Sequence, residues 1–168
     1  MRHLSLITAL ASVAVLFGSA VYAQQPAAPP PPPEYGLPIT LAQAMKAAAA
    51  AQANSQKLGI NSVISIVGPS GDLIYFAKMD GAQFGSIAVS QQKAKTAAIY
   101  RRPTKVFEDL VAGGGPALTL LTLPGVIASA GGLPILQNGK LVGAIGVSGA
   151  PRGVIDQESS QAGIDALK

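Results

Sequence analysis

The chain has 168 residues, long enough for one domain with a core of its own. Only 12% of its residues are charged, its formal net charge is +4, and it contains no cysteine. That excludes a disulfide framework and thiolate chemistry, and the slight basic excess falls short of a nucleic-acid footprint.

Residues 1–23 read as an address. Arg2 and His3 precede an apolar run over residues 4–17, then Gly18, Ser19 and Ala20, with Val21-Tyr22-Ala23 offering a cleavage site. The pattern is that of a secretory signal peptide cut after Ala23. An uncleaved anchor is the alternative, but the apolar run is shorter than the roughly 18–20 residues a membrane span needs. The expected location is therefore periplasmic or secreted, with no stable membrane insertion after cleavage. Cleavage removes His3, the sole histidine. Ser-His-Asp and Cys-His catalysis and zinc held by His or Cys are then excluded. A metal centre in the mature chain would need Tyr, Met, Lys, a carboxylate or a hydroxyl as ligand.

Residues 24–38 are proline-rich, with Pro29 to Pro33 consecutive. This segment is expected to be extended polyproline II without fixed contacts, either a stiff linker or a ligand for a proline-binding groove. The folded domain is expected over residues 39–168. Thr40 and Gln43 form a capping-box pattern, and Leu41, Ala44, Met45, Ala48 and Ala51 recur at helical spacing before Gly59. This predicts a helix over 40–58. Strands over 62–67 and 72–79, joined by Gly68-Pro69-Ser70-Gly71, make a first hairpin. Residues 84–100 read as a helix with an imperfect apolar stripe. Pro103 disfavours helical backbone at Arg102, and Thr104 can cap a short helix over 105–111. Gly113 to Gly115 read as a hinge, and residues 117–123 are open between helical turn and strand.

Gly131-Gly132 lead into the second hairpin. Asn138-Gly139 is a strong signal for a turn that needs positive φ at both central residues. In the following strand Leu141, Gly143, Ile145 and Val147 alternate with the smaller set Val142, Ala144, Gly146 and Ser148. The small face would let another backbone or a flat ligand approach closely. Asp156 is expected to cap a closing helix over 157–167. The order helix, hairpin, helix, short helix, hairpin, helix predicts an α/β (α+β) domain, its antiparallel sheet covered by helices.

The stretches KMDGAQFGSIAVSQQKAKTAAIYRRPT and GGLPILQNGKLVGAIGVSGAP, with residues 156–167, resemble the GlcG/HbpS family of small haem-binding-related domains. Such domains also occur as the C-terminal part of PduO-type proteins. The resemblance runs from about residue 37 to the C-terminus. It implies a profilin-like fold with a five-stranded antiparallel sheet flanked by helices, homo-oligomerisation and haem as cofactor. In the exported haem-binding branch the threonine of the RPT segment is associated with the iron, which implies Thr104 as metal ligand here. The PduO-type branch looks to a histidine, which this mature chain lacks. Gly68 stands where the family usually has Asp.

Lys93, Lys95, Arg101, Arg102 and Lys105 place five cations within thirteen residues around that segment. Such a cluster suits haem propionates or another dianion, Arg best through its planar fork, and otherwise reads as a solvated helix face. Thr104 reads first as a helix cap, Tyr75 and Tyr100 are alternative oxygen donors for iron, and Met45 and Met79 read as core. Ser148 has no histidine to activate it, and no paired carboxylate site is evident. The expectation is an exported haem-binding domain for sensing, storage or scavenging, with Lys93, Tyr100, Arg101, Arg102, Thr104 and Lys105 at the cofactor. The alternatives are an oligomeric periplasmic scaffold for another small ligand or protein, and a small-molecule enzyme whose base would be a carboxylate, Lys or Tyr.

Overall fold

The computed structural model describes residues 30–168. The signal-peptide expectation and the first part of the proline-rich segment lie outside the described residues. Residues 31–168 form one compact unit. No helix among the described residues is long and apolar enough to cross a membrane.

Helix α1, Leu41–Lys57, starts where the capping box places it. Thr40 Oγ1 accepts the Gln43 N–H at 3.3 Å, and Gln43 Oε1 accepts the Thr40 N–H at 3.1 Å. Strands β1, Val63–Val67, and β2, Leu73–Lys78, form the first hairpin, and helix α2 covers Gly85–Ile99. Helix α3, Thr104–Ala112, is followed by a 3-10 helix, Gly115–Thr122. Strands β3, Gly132–Gln137, and β4, Lys140–Ser148, form the second hairpin, and helix α4, Gly153–Asp165, closes the chain. Asn138 at φ 51° and Gly139 at φ 75° make the turn with both central residues left-handed.

The sheet is antiparallel in the order β2-β1-β4-β3. Its two faces differ. Ile64, Ile66, Ile145 and Val147 meet Ala44, Ala47, Ala48 and Ala51 of α1 in the main core. On the other face α2 lies close against the small residues of β4, with Ala144 packed against Ala94, Ala97 and Ala98. A side chain at Gly146 would sit 2.1 Å from the Ser90 carbonyl oxygen, so the small face serves to admit a helix backbone. Buried serines stitch this layer, Ser65 Oγ to Ser90 Oγ at 2.8 Å and Ser148 Oγ to Ser86 Oγ at 3.1 Å. Each hydroxyl satisfies another that burial would otherwise leave without water.

Several expectations need correction. Among the described residues the sheet has four strands, not five. The ambiguous residues 117–123 fall largely in the 3-10 helix, where Thr119 and Thr122 hydroxyls donate to the carbonyls of Pro116 and Thr119 at 2.8 and 2.7 Å and settle the turn. Thr104 is the first residue of α3 and not its cap, because its hydroxyl is turned across to β3. The closing helix begins at Gly153, ahead of Asp156, whose carboxylate turns inward instead of capping.

The end of the proline-rich segment is also held, not free of contacts. The Leu141 N–H donates to Glu34 O at 2.7 Å, Gly36 N–H to Leu141 O at 2.7 Å, and Ile39 N–H to Val142 O at 2.8 Å. Tyr35 forms a parallel bridge with Leu141, so this strap pairs with β4 past the end of β1.

Candidate functional site

The corner between α2 and α3 sets the site. Helix α2 ends at Tyr100, Arg101 turns left-handed at φ 54°, and Pro103 fixes the entry to α3. The turn throws the Arg101 guanidinium back over the strap. Its Nη1 donates to Pro33 O at 3.2 Å, and its carbon lies 5.2 Å from the centre of the Tyr35 ring. The Tyr35 hydroxyl donates to Ile99 O at 3.1 Å, which fixes the ring beneath the cation.

Arg101 stands at the rim of a cleft of about 410 Å³. Pro103, Leu133, Pro134, Leu136 and Ile164 give it apolar walls, and Lys168, its ammonium paired with Asp165 Oδ1 at 2.6 Å, adds a second cation beside Gln161. The volume lies within the range of roughly 300–1,000 Å³ common for small-molecule sites. A second cleft of about 450 Å³ lies along the strap, between Tyr35, Pro38, Pro69 and Ile99. Among the described residues it is lined by no charged side chain.

The other cations of the sequence cluster are dispersed. Lys93 is only 2% exposed, and its ammonium bonds Asp156 Oδ2 at 2.8 Å and Val147 O at 3.1 Å. Burial pushes the Asp156 carboxyl above the usual aspartate range, against the opposing pull of the Lys93 charge and hydrogen bond and of the Ala150 and Gly149 amides. Arg102 is exposed, donating from Nε to Tyr100 O at 3.1 Å, with its guanidinium 5.9 Å from the Phe107 ring centre. Lys105 pairs with Asp109 one turn along α3, and that hydrogen bond raises its pKa. Of the six residues expected at the cofactor, Arg101 is the one that lines the cleft.

The expected iron donors are engaged. Thr104 is fully buried, and its Oγ1 accepts the Gly132 N–H at 2.9 Å. One turn later Glu108 Oε2 accepts the Ala130 N–H at 2.7 Å, so α3 clamps the entry to β3 at two points. Tyr100 Oη donates to Pro124 O at 2.8 Å, and its ring meets Phe107 edge-on at 5.5 Å. Tyr75 sits on β2, packed against the main core. Met79 Sδ accepts the Ser62 N–H at 3.3 Å. Among the described residues no group of three His, Cys, Asp or Glu side chains could hold a metal ion.

Sequence reasoning missed Lys168, Gln161 and Ile164. Their spacing of three and four residues is the signal that could have found them, since it places all three along one side of α4 and its extension.

A family model described as "Haem degrading protein HbpS-like" matches residues 39–165. Protein GlcG of Escherichia coli (strain K12) is 36% identical over 112 residues, covering 66% of this chain and 82% of GlcG. The crystal structure of HbpS superposes with a TM-score of 0.73 at 33% identity, covering 79% of this chain and 92% of HbpS. A complex of PduOC with haem superposes with a TM-score of 0.70 at 26% identity, covering 77% of this chain and 95% of PduOC.

Proposed function

The chain belongs to the HbpS-like family, and from that membership and the cleft at Arg101 we propose that it is an exported domain that binds haem. The observation that carries this reading is the pairing of apolar walls from Pro103, Leu133, Pro134, Leu136 and Ile164 with cations from Arg101 and Lys168. Haem presents a matching surface, a flat apolar ring with propionates at one edge. Bound iron would supply a Lewis-acidic, redox-active centre. The fit is to the ring and the propionates, while Thr104 and Tyr100 would reach iron only by giving up Gly132 and Pro124.

Arg101 receives a propionate through its planar fork, Lys168 becomes a second anchor by releasing Asp165, and the apolar walls exclude water from the ring. Arg102 and Lys105 remain outside the cleft lining. Lys168, the lining side chain of a type that could serve as a base, is paired with Asp165, so we propose binding and not turnover. Binding suits scavenging, storage or sensing of haem outside the cytoplasm. The exposed apolar side chains Val106 and Leu110 of α3, beside Leu118 and Leu121 of the 3-10 helix, favour assembly with further copies of the chain.

Titration of residues 24–168 with haem, followed by Soret absorbance, tests the reading. It predicts a saturable, stoichiometric band shift, weakened about tenfold or more by Arg101→Asn, since Asn tolerates the left-handed backbone and removes the fork. A shift no larger than that of free haem or an unrelated protein would overturn it.

A further inference from the structure

We propose that the cleft recognises the carboxylates and the apolar plane of its ligand without a bond to the metal, so that metal-free porphyrin dicarboxylates bind as haem does. This deepens the haem reading and rests on it.

The inference comes from where the donor atoms are committed. The Thr104 hydroxyl cannot turn toward the cleft without stranding the buried Gly132 N–H. Gly132 cannot shift to follow it, because its backbone is wedged against α2. A side chain there would lie 2.3 Å from the Lys93 carbonyl oxygen and 2.6 Å from Thr104 Cγ2. The hydroxyls of Tyr35 and Tyr100 are spent on the carbonyls of Ile99 and Pro124. Tyr75 stands on β2, at the opposite edge of the sheet from β3, which lines the cleft. Met79 sulfur takes the Ser62 N–H. What the cleft itself offers is an amide at Gln161 and cations at Arg101 and Lys168, with Asp165 Oδ1 accepting from Gln161 Nε2 at 3.0 Å and from Lys168 Nζ at 2.6 Å, a poor set for iron.

The same corner is well arranged for a carboxylate. The strap holds Arg101 in place with Pro33 O and the Tyr35 ring, and spends one N–H of the guanidinium fork on Pro33. A cation fixed in advance loses little freedom when a ligand carboxylate arrives. The ligand class is therefore a flat, apolar tetrapyrrole with free carboxylates, whatever metal it carries.

The test uses residues 24–168, which contain the whole compact unit 31–168. Haem, metal-free protoporphyrin and the dimethyl ester of protoporphyrin are titrated in turn, read by Soret absorbance and porphyrin fluorescence. The proposal predicts dissociation constants for haem and metal-free protoporphyrin that agree within about threefold, and a diester weaker by about tenfold or more. Arg101→Asn should abolish most of the difference between acid and ester. If haem binds and metal-free protoporphyrin falls short by more than about threefold, or the diester binds as the acid does, this inference fails and haem binding stands. If neither haem nor protoporphyrin binds, the haem reading fails and takes this inference with it.

Discussion

The pair Lys93–Asp156 gives the most quantitative prediction. Both side chains are buried, at 2% and 3% exposure, with ammonium and carboxylate 2.8 Å apart. Val147 O completes the ammonium's partners, and the Ala150 N–H donates to Asp156 Oδ1 at 2.9 Å. Asp156→Asn would leave the ammonium buried without a counter-charge, and Lys93→Met would do the same to the carboxylate. Removing one member of such a pair costs about 3–5 kcal/mol, whereas replacing both is often close to neutral. In a domain of this size either single change should lower Tm by roughly 10–20 °C. The double variant Lys93→Met with Asp156→Asn keeps an acceptor for Ala150 and removes both charges together. It should lie within about 1–2 kcal/mol of the parent. Urea unfolding of all four proteins reads the cycle. If the double variant loses the sum of the two single losses, the charges are not coupled and the reasoning is wrong.

Three further predictions follow from the same geometry. Burial holds the Asp156 carboxyl above its usual range, so the folded state keeps this proton at pH values where the unfolded chain has released it. That contribution to stability is full below the ordinary aspartate value and is lost as pH rises through the raised one; in Lys93→Met, stripped of the opposing ammonium, the decline should be steeper, and flat stability across that window would contradict it. Thr104→Val keeps the shape and leaves the Gly132 N–H without its acceptor, which should cost about 1–3 kcal/mol in urea unfolding yet leave porphyrin affinity within about threefold. Gly132→Ala puts a methyl group against backbone, 2.3 Å from the Lys93 carbonyl oxygen, while Gly139→Ala meets nothing within 4 Å and strains only a left-handed turn. The first should cost about 3 kcal/mol or fail to fold and the second about 1–2 kcal/mol, and equal losses would refute the wedge against α2.

Much of the fold was legible because its signals are local. The capping box at Thr40 and Gln43, the Asn138-Gly139 turn and the small face of β4 each depend on residues a few positions apart. The inward turn of Lys93 was not legible, because its partner Asp156 is 63 positions away and α2 carries only an imperfect apolar stripe. A charge cluster of five in sequence thus became one buried ion pair at Lys93, exposed side chains at Lys95 and at Arg102 on an aromatic ring, one helix-surface pair at Lys105 and one cleft cation at Arg101. The strap was hidden for a similar reason. Its composition reads as polyproline, and only β4 extending past β1 gives the Glu34 and Gly36 backbone a partner. Lys168 joins Arg101 only after α4 has folded over β3, a juxtaposition no local pattern encodes.

The central claim is that the ligand lies in the cleft between the Arg101 corner, β3 and α4. Methyl NMR of residues 24–168 tests it most directly, because a porphyrin ring displaces the signals of methyl groups it lies upon. On addition of protoporphyrin, the account predicts saturable ring-current shifts at Leu133, Leu136 and Ile164, with Ile99 of the neighbouring cleft unmoved. Shifts centred on Ile99, or on none of these methyl groups while porphyrin binds, would contradict it.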